Sequence, residues 1–242
     1  MHRLEIRDSE MDVNTVIDVK KELLALSDDD NAEFVRKLVP GDRVIIGARL
    51  PAMRDLAKRV AKDDWRSYIE SWQPECMEDY MLRGLVIAYA RMDVDEKLDE
   101  YRKFIPLIDN WSVCDSFCNT WKPKKNEREK VWDFIVPYLR TDDEFQMRFS
   151  AVMMLALFIT DDHIDDVISL LDSADNDGYY FRMAKAWTLS VCFVKYPDIT
   201  MPYLEKGTLD DETLKMTIRK IIDSYRVSDE MKTKVRGLVS RN

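Results

Sequence analysis

Apolar residues recur along this chain at three- and four-residue spacing, and stretches of strict polar/apolar alternation are hard to find. The periodicity predicts helices over 13–26, 32–38, 51–61, 65–72, 76–90, 96–104, 111–120, 127–139, 143–158, 164–171, 180–195, 211–225 and 229–239, and therefore an all-α protein. Pro51 and Pro202 suit first turns, Pro40, Pro74, Pro123 and Pro197 mark breaks, and Asp28, Thr141 and Ser228 are expected N-caps. No Ser-, Gly- or Pro-rich linker divides the chain, so residues 1–242 are expected to form one domain.

The helices also carry a longer period. Arg83, Asp115, Arg148 and Arg182 each lead a mostly apolar segment, at successive spacings of 32, 33 and 34 residues, and Arg219, 37 further on, is a candidate fifth. A period in the thirties with two helices per unit predicts a helical-repeat solenoid, with one ionisable residue per repeat projecting toward a common concave groove. The alternative is an ordinary helical bundle whose helix lengths coincide.

Composition narrows the chemistry. The chain has 37 Lys+Arg against 46 Asp+Glu, a formal charge of −9, so it has no general affinity for phosphate backbones. Its 46% apolar content is ample for a buried core. The six glycines are too dispersed for a phosphate loop, which argues against a nucleotide cofactor. His2 and His163 stand apart, and no zinc-hydrolase motif or other metal site is expected. Catalysis would have to run on carboxylates, aromatics or arginines.

Charges near the N-terminus interrupt any secretory leader, and no window approaches 18 uncharged apolar residues; a cytoplasmic protein with no membrane partner is expected. Cys76, Cys114, Cys118 and Cys192 are expected to be reduced, buried thiols.

The most informative stretch runs from Pro106 to Phe117. Asp109 or Asn110 can cap the helix, and Trp111 and Asp115 then lie one turn apart on one face. Asp115 sits among Val113, Cys114, Phe117 and Cys118, and a carboxylate on so apolar a helix points either to catalysis or to a buried salt bridge. Arg148 heads a helix with no charge from Phe149 to Ile159. It reads as an ion pair with Asp115 or as a phosphate contact, and the two are compatible. Trp187 shares a stripe with Tyr180, Met183 and Ala184, a pattern that serves a core as readily as a binding face. Lys122, Lys124, Lys125, Arg128 and Lys130 cluster after the Trp111 helix, whereas acidic runs lie at Asp28 to Asp30, Asp93 to Glu100 and Asp161 to Asp166. This segregation permits a basic patch beside the groove.

In order and spacing, the segment Gly47 to Lys58, the stretch Ile108 to Asp115, Arg148 before its apolar helix and the segment Ala184 to Trp187 resemble the AlkD-like DNA alkylation repair proteins, over roughly residues 47–225. The resemblance implies a HEAT-like solenoid. It also implies a monofunctional DNA glycosylase that excises cationic N3- or N7-alkylated purines from duplex DNA without flipping the base, and that needs no cofactor. Matched residue by residue, it makes Asp115 the catalytic carboxylate, Trp111 and Trp187 the groove tryptophans and Arg148 a phosphate clamp. Lys122, Lys124, Lys125, Arg182 and Lys185 are expected to add DNA contacts, and the protein is expected to be a monomer.

One departure stands out. Active members set an N-terminal tyrosine against the lesion, whereas here the first tyrosine is Tyr68 and the aromatic in the N-terminal stretch is Phe34. Relatives with trimmed N-terminal helices and little activity exist, so a DNA-binding or scaffolding member without turnover is the alternative reading.

Overall fold

The computed structural model describes residues 17–206 and 208–239. His2, the expected helix start at 13 and Gly207 lie outside them. Among the described residues there are fourteen α-helices and no strand: α1 (Val19–Leu24), α2 (Asp29–Arg36), α3 (Leu50–Val60), α4 (Trp65–Glu70), α5 (Met77–Tyr89), α6 (Val94–Phe104), α7 (Trp111–Cys118), α8 (Arg128–Ile135), α9 (Glu144–Leu157), α10 (Ile164–Ser173), α11 (Tyr179–Lys195), α12 (Pro197–Glu205), α13 (Asp211–Asp223) and α14 (Asp229–Val239). No described helix is long and apolar enough to cross a membrane.

The odd-numbered helices form an inner row in which α1 packs on α3, α3 on α5, and so on through α7, α9, α11 and α13. Helices α6, α8, α10, α12 and α14 each lie against a member of that row. The N-caps of α5, α7, α9, α11 and α13, at Cys76, Asn110, Asp143, Gly178 and Asp210, recur every 32 to 35 residues. The protein is an all-α helical repeat. This register also corrects the sequence pattern: Met81, Asp115, Arg148 and Met183 occupy equivalent places five residues beyond their caps, and Arg83 lies two residues out of step.

Aromatic rings bind the layers. Phe117 stacks on Phe149 at 5.9 Å between centroids and on Tyr101 at 5.2 Å, and meets Phe104 edge-on at 5.4 Å. Gly84 on α5 makes this approach possible, since a Cβ there would stand 2.9 Å from the Phe104 ring and 3.1 Å from Phe117 Cβ. The four cysteines are free and buried.

Local chemistry explains where the elements depart from the pattern. Helix α2 starts before 32 because the Asp28 carboxylate accepts the Asn31 amide at 2.9 Å. Asp143 caps α9 in place of Thr141, accepting from the amides of Phe145 and Gln146, whereas Ser228 does cap α14. Pro137 enters the second half of the expected 127–139 helix, which tightens into a 3₁₀ segment from Val136 to Arg140. Pro197 opens α12 in its first turn, and Pro202 lies inside that helix, the reverse of the expected roles.

Candidate active site and groove

Helix α7 places the two most informative side chains. The Asn110 carboxamide caps it by accepting the Val113 amide at 3.0 Å, so the chain enters the helix at Trp111 and sets Asp115 one turn on. Asp109, the other candidate cap, pairs with Arg43. The Trp111 indole Nε1 donates to the Leu38 carbonyl at 3.0 Å, which ties this end of the site to the segment after α2.

Asp115 and Arg148 form a bidentate ion pair between α7 and α9. Arg148 Nε donates to one carboxylate oxygen at 2.9 Å and Nη2 to the other at 2.7 Å, while Nη1 donates to the Tyr180 carbonyl on α11 at 2.7 Å. The arginine side chain is 5% exposed and the aspartate 17% exposed. Burial pushes the Asp115 carboxyl above the ordinary aspartate range, and the guanidinium pulls against that shift. Burial also works against the Arg148 charge, but the hydrogen bonds it donates to Asp115, together with that carboxylate's charge, more than offset it and hold the guanidinium above its usual value.

The exposed edge of Asp115 opens into a cavity of about 670 Å³ that Trp111 and Trp187 also line. Arg49, Leu50 and Arg54 of the α3 entry, and Glu78 of α5, form its other wall. Four inner helices, α3, α5, α7 and α11, and the loop before α3 thus face one space. Glu78 is buried and holds that loop by accepting the backbone N–H groups of Ile46, at 3.2 Å, and Gly47, at 2.8 Å. Gly47 has a φ of +79°, and a Cβ there would stand 2.1 Å from the Asp28 carbonyl oxygen, so only glycine fits.

Several expected contacts lie elsewhere. Arg148 is not free to clamp a phosphate as the resemblance implies, because its buried guanidinium is committed to Asp115 and to the Tyr180 carbonyl. Lys185 is buried and donates to the Ala174 carbonyl at 3.0 Å, capping the end of α10 from within, so it does not face DNA. Arg182 is held by Asp177 and Glu212. Lys122 and Lys124 line a separate recess with Lys97 and Trp121, and Lys125 is exposed beyond α7; the lysines do not border the cavity. Arg83 lies over the Trp72 ring, with its guanidinium carbon 4.4 Å from the centroid, and does not project into the groove. The acidic run at Asp28 is not remote, since Asp28 pairs with Arg49 in the cavity wall.

The sequence reading missed Arg54, Glu78 and Lys220. Lys220, on α13, is half-buried and close enough to Asp115 and Arg148 for their charges to act on it. Burial lowers its pKa, the Arg148 charge lowers it further, and Asp223 and Asp115 oppose the shift. Each of these residues lies beside charged or polar neighbours in an amphipathic helix, so the chain alone carries no signal that sets them apart.

Within this helical repeat, the inner helices thus bring a carboxylate and two indoles to one open cavity. The sequence model of the DNA alkylation repair enzyme family matches residues 19–221, and the chain belongs to that family. Membership gives it a role in DNA alkylation repair, with DNA as its partner. No curated protein matches the chain.

Proposed function

We propose that the protein is an AlkD-like DNA glycosylase that hydrolyses the N-glycosidic bond of cationic N3- or N7-alkylated purines in duplex DNA, without drawing the base into a closed pocket. The observation that carries this reading is the Asp115 carboxylate, fixed by Arg148 at the edge of a cavity flanked by Trp111 and Trp187.

An alkylated purine is already positively charged and leaves without a strong general acid. As the bond to C1′ lengthens, positive charge develops on the deoxyribose. A fixed carboxylate and electron-rich indole faces stabilise such an oxocarbenium-like centre. The purine leaves as a neutral base with the bonding electron pair, and Asp115 orients the attacking water and accepts its proton as C1′ gains the hydroxyl. Arg148 acts as a positioning residue, holding the carboxylate through two hydrogen bonds while its charge favours the ionised form. An open cavity accords with a base that stays in the stack.

The test is release of 7-methylguanine or 3-methyladenine from methylated duplex DNA. Wild-type protein is expected to release base, and Asp115→Asn to slow release on the order of 100-fold or more. No release by the wild type at low salt and long incubation would refute the enzymatic reading.

A DNA-binding member without turnover is favoured by one observation. Tyr68, the first tyrosine, lines a different cavity with Trp72 and Asp79, and Phe34 is 60% exposed, so no tyrosine of the described residues before α5 faces Asp115. That reading expects salt-dependent DNA binding with no base release.

A further inference from the structure

Three arginines stand in or behind the cavity wall, and the structure uses two of them internally. Arg148 holds Asp115 and the Tyr180 carbonyl. Arg49 donates to Asp28 at 2.9 Å, a bond that braces the start of α2 against the start of α3. Arg54 differs: it lines the cavity, is half-buried, and makes no hydrogen bond, ion pair or aromatic contact among the described residues.

A guanidinium without a partner at the side of a cavity retains all five donors, in the planar fork that suits phosphate oxygens. Nearby carboxylates do not claim it. Asp28 is taken by Arg49, Glu78 by the Ile46 and Gly47 amides, and Asp115 by Arg148.

We propose that Arg54 makes the groove's phosphate contact with the DNA backbone, the part that the resemblance gives to Arg148. The inference rests on the reading of this cavity as the DNA-binding groove and names the residue through which the backbone is held. Inner helices pack at about 8–10 Å from axis to axis. Arg54 lies on the α3 wall and Asp115 on the α7 wall, with α5 between them, so the phosphate it meets is a flanking one and not that of the sugar undergoing cleavage. Its contact supplies register and affinity rather than chemistry.

The test is equilibrium binding of undamaged and methylated duplex DNA across a salt series, with base release measured in parallel. Arg54→Gln is expected to weaken binding on the order of ten-fold and to reduce the slope of log affinity against log salt by about 0.9, the value for one phosphate contact. Arg54→Lys, which keeps the charge, is expected to restore the slope, and Arg148→Met to leave it at the wild-type value while slowing base release. An unchanged slope in Arg54→Gln, or a slope in Arg54→Lys that matches Arg54→Gln, would overturn the proposal. If wild-type protein binds no duplex even at low salt, the groove reading falls as well. If it binds without base release, only the enzymatic reading falls, and the Arg54 test stands.

Discussion

Asp115 and Arg148 are one pair of residues that the structure needs and that the proposed chemistry uses. Arg148 is buried and Asp115 largely so, and the two charges are tolerable because two hydrogen bonds join them. Removing one partner strands the other, so Arg148→Met is expected to lower folding stability by about 3–5 kcal/mol in denaturant titration. The pair also sets a pH limit. On the proposed mechanism base release requires the ionised carboxylate, whose pKa lies above the ordinary aspartate range because of burial. Activity is therefore expected to fall on acidification with a midpoint above about 4. In Arg148→Met, which loses the charge that favours ionisation, the midpoint is expected to move higher still. A pH–rate profile of both proteins tests the sign, and a midpoint that drops in the variant would contradict it.

At the scale of elements, the site depends on how closely neighbouring helices approach. Phe117 lies on the buried side of α7, behind Trp111 and Asp115, and locks the helix to α6 and α9 through Tyr101, Phe104 and Phe149. Truncating so buried a ring leaves a cavity, and Phe117→Ala is expected to cost about 3–5 kcal/mol by chemical denaturation. Gly84→Ala drives a methyl toward the Phe104 ring, at a cost of about 1–3 kcal/mol, without touching a groove residue. The loop before α3 is held differently, by the Glu78 carboxylate and the left-handed Gly47. Buried lysines act at helix ends, with Lys97 donating to the Ala88 and Ala90 carbonyls at the end of α5, and Lys185 to that of Ala174 after α10. The sequence reading expected Lys185 at the DNA and gave Lys97 no role. Their amphipathic neighbours are no different from those of an exposed lysine, and only packing determines which carbonyls need a donor.

For the whole molecule, a net charge of −9 sits uneasily with a DNA partner until the cations are followed to their places. Arg59 pairs with Glu22, Arg66 with Glu96, Lys130 with Asp95, and Arg182 with two carboxylates. Of the cations that line the cavity, Arg49 is paired with Asp28 and Arg54 alone is without a partner among the described residues, so the salt dependence of DNA binding is expected to be shallow, with a slope of magnitude below about 4 for the wild type. A steep slope measured by titration would contradict this account of the surface.

The repeat itself was legible because helical periodicity and N-cap chemistry are local properties, written within a few residues of each other. The all-α class, the Asn110 or Asp109 cap and the shared face of Trp111 and Asp115 follow from such spacing, whereas α12, opened by Pro197, is a fourteenth helix that the thirteen expected ones omit. The Arg148–Asp115 pair was one of two readings the sequence left open, because an ion pair across 33 residues depends on the register between two helices. The series starting at Arg83 failed for the same reason. Spacing in the thirties fixes a period but not its phase, and a two-residue error turns a side chain about 200° round a helix. What the sequence determined by itself is therefore local: which segments are helices, where most of them begin, and which residues share a face. The tertiary structure alone decided which charges neutralise one another and which remain free in the groove, because desolvation and ion pairing are set by neighbours distant in the chain.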